Sequence, residues 1–199
     1  MPIPGILVAV DFETTGYTDG FDELPLQIGL AVMADGRLLP EYNLQTNLQI
    51  PADHPINPFA RAVHKLRRQD LAGAPRLVEL WPHFAPWVAA ASCWVAHNAH
   101  GEKKFLQGSF PLHHIGPWKD TYRIARKRRI PAPHLSLTEL LHHAGHFEET
   151  KRLSGGREPH EALFDAVGCL LLLQWLENGP LHTTAPCEHP CELQNINGI

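Results

Sequence analysis

Two carboxylates, Asp11 and Glu13, stand two residues apart at the end of the apolar run Ile6–Val10. On a strand, residues two apart point to the same face, so these anions converge. Adjacent anions in a core strand are costly unless a cation compensates, and hard oxygen ligands of this kind suit Mg²⁺ or Mn²⁺. The alternative is a strand end that has already reached solvent. Asp165 interrupts a second apolar stretch, between Leu163 and Val167, where a charge again needs a partner or a metal. His160 lies five residues earlier, behind Pro159, and can look toward the same end of that helix or serve as a cap or surface residue. A third group, His97, Asn98 and Glu102, ends one apolar run and opens a helix. A carboxylate in a first helical turn is also favourable simply as a partner of the helix dipole.

The elements that must position these residues are legible from periodicity and turn chemistry. Ile6–Thr14 reads as a strand stopped by Thr15-Gly16, Leu26–Met33 as a second, and Arg37–Thr46 as a third after the hairpin signal Asp35-Gly36. Helices are expected near Pro58–Leu66 and Leu77–Ala91, a short buried strand at Ser92–His97, and a helix opening at Glu102–Gln107. Gly116–Asp120 leads by a turn or strand into a helix at Thr121–Arg129. Leu137–Ala144 is helical between an N-cap at Ser136 and a stop at Gly145, and His160–Glu177 forms a long final helix. A strand meander followed by alternating helices and strands indicates an α/β domain with a mixed sheet.

The chain of 199 residues is the length of one domain, and 44% hydrophobic against 19% charged residues excludes disorder, collagen and coiled coil. No apolar stretch is long enough to cross a membrane, and no Lys or Arg precedes the run Ile6–Val10 as a signal peptide requires, so the cytoplasm is the expected compartment. Four cysteines do not suggest a disulfide scaffold. The net charge of −4 hides an asymmetry: Lys103–Arg157 holds eleven Lys/Arg against four Asp/Glu, and the remainder six against seventeen. A basic half beside an acidic half fits an anionic polymer held near a carboxylate-rich metal site, with an ordinary solvated surface as the alternative. Arg126–Arg129 is read in the same two ways. Residues 1–179 are expected to form the domain and 180–199 an extended tail, in which Cys187, His189 and Cys191 lack the fourth ligand of a zinc site.

Three ordered motifs resemble the DEDDh 3′–5′ exonucleases, the group that includes polymerase III proofreading subunits and ribonuclease T. They are Val10-Asp-Phe-Glu-Thr-Thr-Gly16, His97-Asn-Ala-His-Gly-Glu-Lys-Lys-Phe-Leu106 and His160-Glu-Ala-Leu-Phe-Asp-Ala166, with softer similarities at Gln27-Ile28-Gly29, Val63-His64 and Asp120-Thr121. The resemblance spans roughly residues 6–177. It implies a ribonuclease H-like fold with a mixed five-stranded sheet flanked by helices. It further implies that Asp11, Glu13, Glu102 and Asp165 hold two divalent ions, Mg²⁺ or Mn²⁺, that His160 takes the proton of the attacking water, and that mononucleotides are released from 3′ ends. Thr14, Gly16, His64 and Asn98 become the substrate contacts, and single-stranded or 3′-ended DNA or RNA the partner. One departure stands out: Glu102 occupies the family's Asp position, and Gly101 that of a bulky apolar residue. Competing readings are a noncatalytic nucleic-acid-binding module and an accessory proofreading subunit. The sequence carries no recognisable motif for a polymerase or homodimer partner.

Overall fold

The computed structural model describes residues 3–178; the expected tail, with Cys187, His189 and Cys191, lies outside them. Strand β1 (Ile6–Thr14) pairs antiparallel along its whole length with β2 (Pro25–Ala34). On its other edge β1 runs parallel to β5 (Cys93–Ala96), which runs parallel to β6 (Trp118–Asp120). The free edge of β2 carries two short strands end to end, β3 (Arg37–Leu38) and β4 (Leu44–Asn47).

The sheet therefore has six strands, not the expected five, and the cause is local. Arg37–Thr46 is not one strand. Leu39 still donates to the Val32 carbonyl at 2.8 Å, but Pro40 has no N–H to continue the ladder and opens a single 3₁₀ turn over Pro40–Tyr42. Pairing resumes only at Leu44.

Alternation along β1 divides the core. Val8, Val10 and Phe12 point into one cluster with Ile28, Leu30, Phe84, Trp94 and Leu106. Leu7 and Ala9 point into the other, with Leu140, Leu141 and the last helix. Asp11 and Glu13 continue the parity of Leu7 and Ala9, so they face that helix.

Helices α1 (Pro58–His64), α2 (Trp81–Ala90), α3 (His100–Ser109) and α4 (Thr121–Lys127) follow the order read from the sequence. The expected helix Leu77–Ala91 is split, its first turn being 3₁₀ over Leu77–Leu80. Helix α5 (Leu137–Ala144) has the expected ends: Ser136 accepts from the Glu139 N–H, and Gly145 takes the left-handed conformation at φ 73°. Helix α6 (Phe147–Leu153) has no counterpart in the sequence reading. The final helix α7 spans Ala162–Asn178, so His160 precedes it rather than starting it. Buried on nearly all sides, α7 packs across β1 and β2 with α4, α5 and α6 around it.

Candidate active site

The site forms where the C-terminal end of β1 meets the N-terminal end of α7. Glu13, His160 and Asp165 offer ligand atoms that all lie within 4.8 Å of one another. Asp11 sits one pleat further into the sheet, within electrostatic reach of Asp165, Glu102 and Glu13. This close group brings two of the four carboxylates expected from the motifs, Glu13 and Asp165, together with His160.

Two cross-strand rungs position the β1 carboxylates. Asp11 lies opposite Gly29 and Glu13 opposite Gln27. Gly29 is required by a close approach: a Cβ there would stand 2.1 Å from the carbonyl carbon and oxygen of Ala162. Its absence lets the α7 backbone rest directly on the sheet. His160 adopts φ 66°, a left-handed conformation rare for a residue with a side chain, and its N–H donates to Asp165 Oδ2 at 3.1 Å.

Asp120 positions the remaining motif. Its carboxylate caps α4 by accepting from the Arg123 N–H at 3.2 Å, and it also accepts from the N–H groups of Asn98 at 3.0 Å and Ala99 at 3.2 Å. That clamp holds the turn in which Asn98 takes φ 64°, and from this turn α3 presents Glu102. His97 faces inward. Its Nε2 lies 2.8 Å from the Leu135 carbonyl, which can only accept, so Nε2 carries the proton and Nδ1 faces the Thr121 hydroxyl at 2.9 Å. Burial, against the pull of that carbonyl, lowers the His97 pKa, so the ring is a neutral structural strut.

Helix α1 docks on the other side of the β1 terminus. Asn57 caps it by accepting from the Phe59 N–H at 2.8 Å, and its own N–H donates to the Thr15 carbonyl at 2.8 Å. Gly16, at φ 70°, packs against this helix start, where a Cβ would meet Ala60 Cβ at 2.7 Å. Thr14 Oγ1 donates to Glu23 and accepts from the Gly16 N–H at 3.2 Å. His64, at the end of α1, accepts at Nδ1 from the Leu66 N–H at 3.0 Å, while its buried Nε2 has no hydrogen-bond partner. It lines a pocket of about 320 Å³ with Gln27, Glu158 and His160. Burial lowers its pKa against the Thr14 backbone, and the His160 ring lowers it further.

Burial dominates the electrostatics of the four carboxylates. Burial first, then Asp165, lifts Glu13 to about 8. Burial lifts Asp165 to about 7 against the His160 N–H, and Glu102 to about 7 against its own backbone, with Asp120 and Glu23 adding to the rise and Lys103 opposing it. Asp11 is raised by burial and then by Asp165, Glu102 and Glu13. None of the four pairs with a Lys or Arg among the described residues, and Glu102 Oε2 is buried with no hydrogen-bond partner. Such a group fits a hard divalent cation, whose charge would offset the desolvation that otherwise keeps these side chains protonated.

Sequence reasoning passed over Glu23 and Gln45, which carry no motif. Gln27 and Asp120 were noticed only as similarities, not as the supports they are. Arg126, Lys127 and Arg129 are exposed at the end of α4, and no ion pair engages them among the described residues. No described helix is long and apolar enough to cross a membrane.

Comparison with known proteins agrees with this geometry. The ribonuclease T family model, described as exonuclease, matches residues 8–173. Exodeoxyribonuclease 10 of Escherichia coli K12 is 29% identical over 122 residues, 61% of this chain and 48% of the relative. The chain thus spans about half the length of the curated relatives it matches. Among solved structures, exonuclease X in complex with 5′ overhanging duplex DNA aligns with TM-score 0.56 and 26% identity over 87% of this chain and 93% of that one. The nuclease domain of 3′hExo, a DEDDh family member bound to rAMP, aligns with TM-score 0.66 and 15% identity over 88% and 94%. E. coli exonuclease I with an oligonucleotide aligns at 0.67 and 12% over 89% and 42%; the last two likenesses bear on the fold alone. With the family model matched from β1 to α7, over residues 8–173, the chain belongs to the ribonuclease T family of exonucleases.

Proposed function

We propose that this chain is a 3′–5′ exonuclease that hydrolyses the terminal phosphodiester of a nucleic-acid strand and releases nucleoside monophosphates. The observation that carries the reading is the convergence of half-buried Glu13 and buried Asp165 on one histidine at the end of β1, with no ion pair to either carboxylate among the described residues. Asp11, Glu13, Glu102 and Asp165 would hold Mg²⁺ or Mn²⁺. When bound, such ions neutralise the phosphate and lower the pKa of water. In this reading His160, whose pKa partial burial lowers, is neutral at pH 7 and takes the proton of the attacking water. Oxygen from that water bonds to phosphorus, the bond to the 3′ oxygen breaks, and a 5′-phosphorylated mononucleotide leaves.

Thr14, Gly16, His64 and Asn98 surround the site as the contacts of the terminal nucleotide. His64 stands beside His160 in the wall of the pocket at the end of β1. DNA is the first substrate to offer, because the curated relative is an exodeoxyribonuclease. Product chromatography after incubation with Mg²⁺ tests the reaction. Nucleoside 5′-monophosphates are expected; 3′-phosphorylated products or internal fragments would overturn the assignment.

A further inference from the structure

The first turn of a helix leaves backbone N–H groups without partners inside the helix, and these must be met from elsewhere. In α7 they are met by the sheet. Gln27 Oε1 accepts from the Ala162 N–H at 3.0 Å, and Gln45 Oε1 accepts from the Leu163 N–H at 3.0 Å. The orientation of Gln27 is fixed by a relay. Gln27 Nε2 donates to Asn47 Oδ1 at 2.9 Å, and Asn47 Nδ2 donates to the Asp70 carbonyl at 2.8 Å. Since the last acceptor cannot donate, both amides have one orientation, and Gln27 must turn its oxygen to α7.

These caps occupy the same rungs as the β1 carboxylates. Gln45 lies opposite Gly29, which lies opposite Asp11; Asn47 lies opposite Gln27, which lies opposite Glu13. Side chains directly opposite on antiparallel strands share a face. One rung thus reads Asp11, Gly29, Gln45 and the next Glu13, Gln27, Asn47. The first presents a carboxylate, a gap for the helix backbone and a cap, and the second a carboxylate, a cap and the brace of that cap.

We propose that Gln27 and Gln45 are positioning residues: they dock the start of α7 on the rungs that carry Asp11 and Glu13, and so set where His160 and Asp165 stand relative to those carboxylates. Neither glutamine touches the reacting atoms. Their effect passes through the Ala162 and Leu163 amides to the left-handed turn at His160, only two residues before α7 begins. The proposal rests on the exonuclease reading for its kinetic consequence, while the capping itself is measurable without it.

The test compares Gln45→Leu, which removes the acceptor of the Leu163 amide, with the wild type. Gln27→Leu is the buried counterpart. For each full-length protein, kcat and KM are measured on a 5′-labelled oligonucleotide with Mg²⁺. Amide hydrogen exchange is measured by NMR without metal or substrate. In Gln45→Leu, kcat should fall about tenfold to a hundredfold, the effect of misplacing a catalytic group by a fraction of an ångström to one ångström, with KM changed less than about threefold. The Leu163 amide should exchange faster while Val8 and Val10 keep their protection. An unchanged kcat in both Leu variants would overturn the proposal. So would faster exchange at Val8 and Val10 equal to that at Leu163. If the wild type released no nucleotide, the exonuclease reading would fail by itself, and unchanged Ala162 and Leu163 exchange in the variants would separately overturn the docking.

Discussion

Glu102→Gln should make the metal-free protein more stable while abolishing most of its turnover. Glu102 is 8% exposed, and Oε2 has no partner. Burial lifts its pKa from 4.5 to about 7. The folded state therefore binds a proton that the unfolded state has already released between those two values. Stability falls as pH rises wherever the folded state holds more protons, so Glu102 costs nothing below pH 4.5 and its full penalty above pH 7. The interval corresponds to about 3 kcal/mol, an order-of-magnitude figure. Glutamine has nearly the same shape and no charge to desolvate. Chemical unfolding of the metal-free wild type and variant should coincide near pH 4 and diverge by up to about 3 kcal/mol at pH 8, the variant being the more stable. Equal stability at pH 8, or a gap that closes as pH rises, would refute the view of Glu102 as a buried carboxylate awaiting a cation. The companion change Glu102→Asp separates adaptation from decay. In a site shaped around the longer side chain, Asp should lower turnover and be partly recovered by Mn²⁺; a rise in turnover would mark Glu102 as a degraded position.

His160→Ala should reduce turnover at least about a hundredfold, the scale of general-base catalysis, while the protein stays folded; an unchanged rate would remove His160 from the chemistry. Gly29→Ala places a Cβ 2.1 Å from the Ala162 backbone, so α7 must move off the sheet. Thermal unfolding should show a loss of about 1–3 kcal/mol or more, and an unperturbed transition would contradict the close approach. Mg²⁺ binding at pH 7 should release protons, because Glu13, Glu102 and Asp165 are held at about 8, 7 and 7 in the metal-free state. Calorimetry in two buffers of different ionisation enthalpy reads this directly, and identical heats would argue against ligation by these carboxylates.

The parts of the fold that local physics determines were legible in the sequence. The apolar run of β1, the hairpin signal Asp35-Gly36 and the Ser136 and Gly145 ends of α5 each carry their cause in adjacent residues. Period-two parity alone put Asp11 and Glu13 on one face. What was not legible depends on partners distant in the chain. Pro40 breaks the edge strand, but that pairing resumes at Leu44 depends on β2. Helix α6 is short and half exposed, and Thr150, its buried residue, is polar, so no apolar stripe announces it. The glutamine caps bridge 135 residues at Ala162 and 118 at Leu163, and nothing in the spacing of Gln27 and Gln45 points to α7. Similarly, the motifs name the candidate carboxylates, but only tertiary packing brings Glu13, from β1, within 4.8 Å of His160 and Asp165.

The most direct measurement of the central claim is digestion of one oligonucleotide labelled in turn at its 5′ and 3′ ends, with Mg²⁺ or with excess chelator, by the wild type and by Asp165→Asn. With Mg²⁺ and the wild type, the 5′ label should step down a ladder one nucleotide at a time, while the 3′ label appears at once as mononucleotide. Chelator or Asp165→Asn should leave both substrates intact. Full digestion in excess chelator, or immediate release of the 5′ label, would contradict the account.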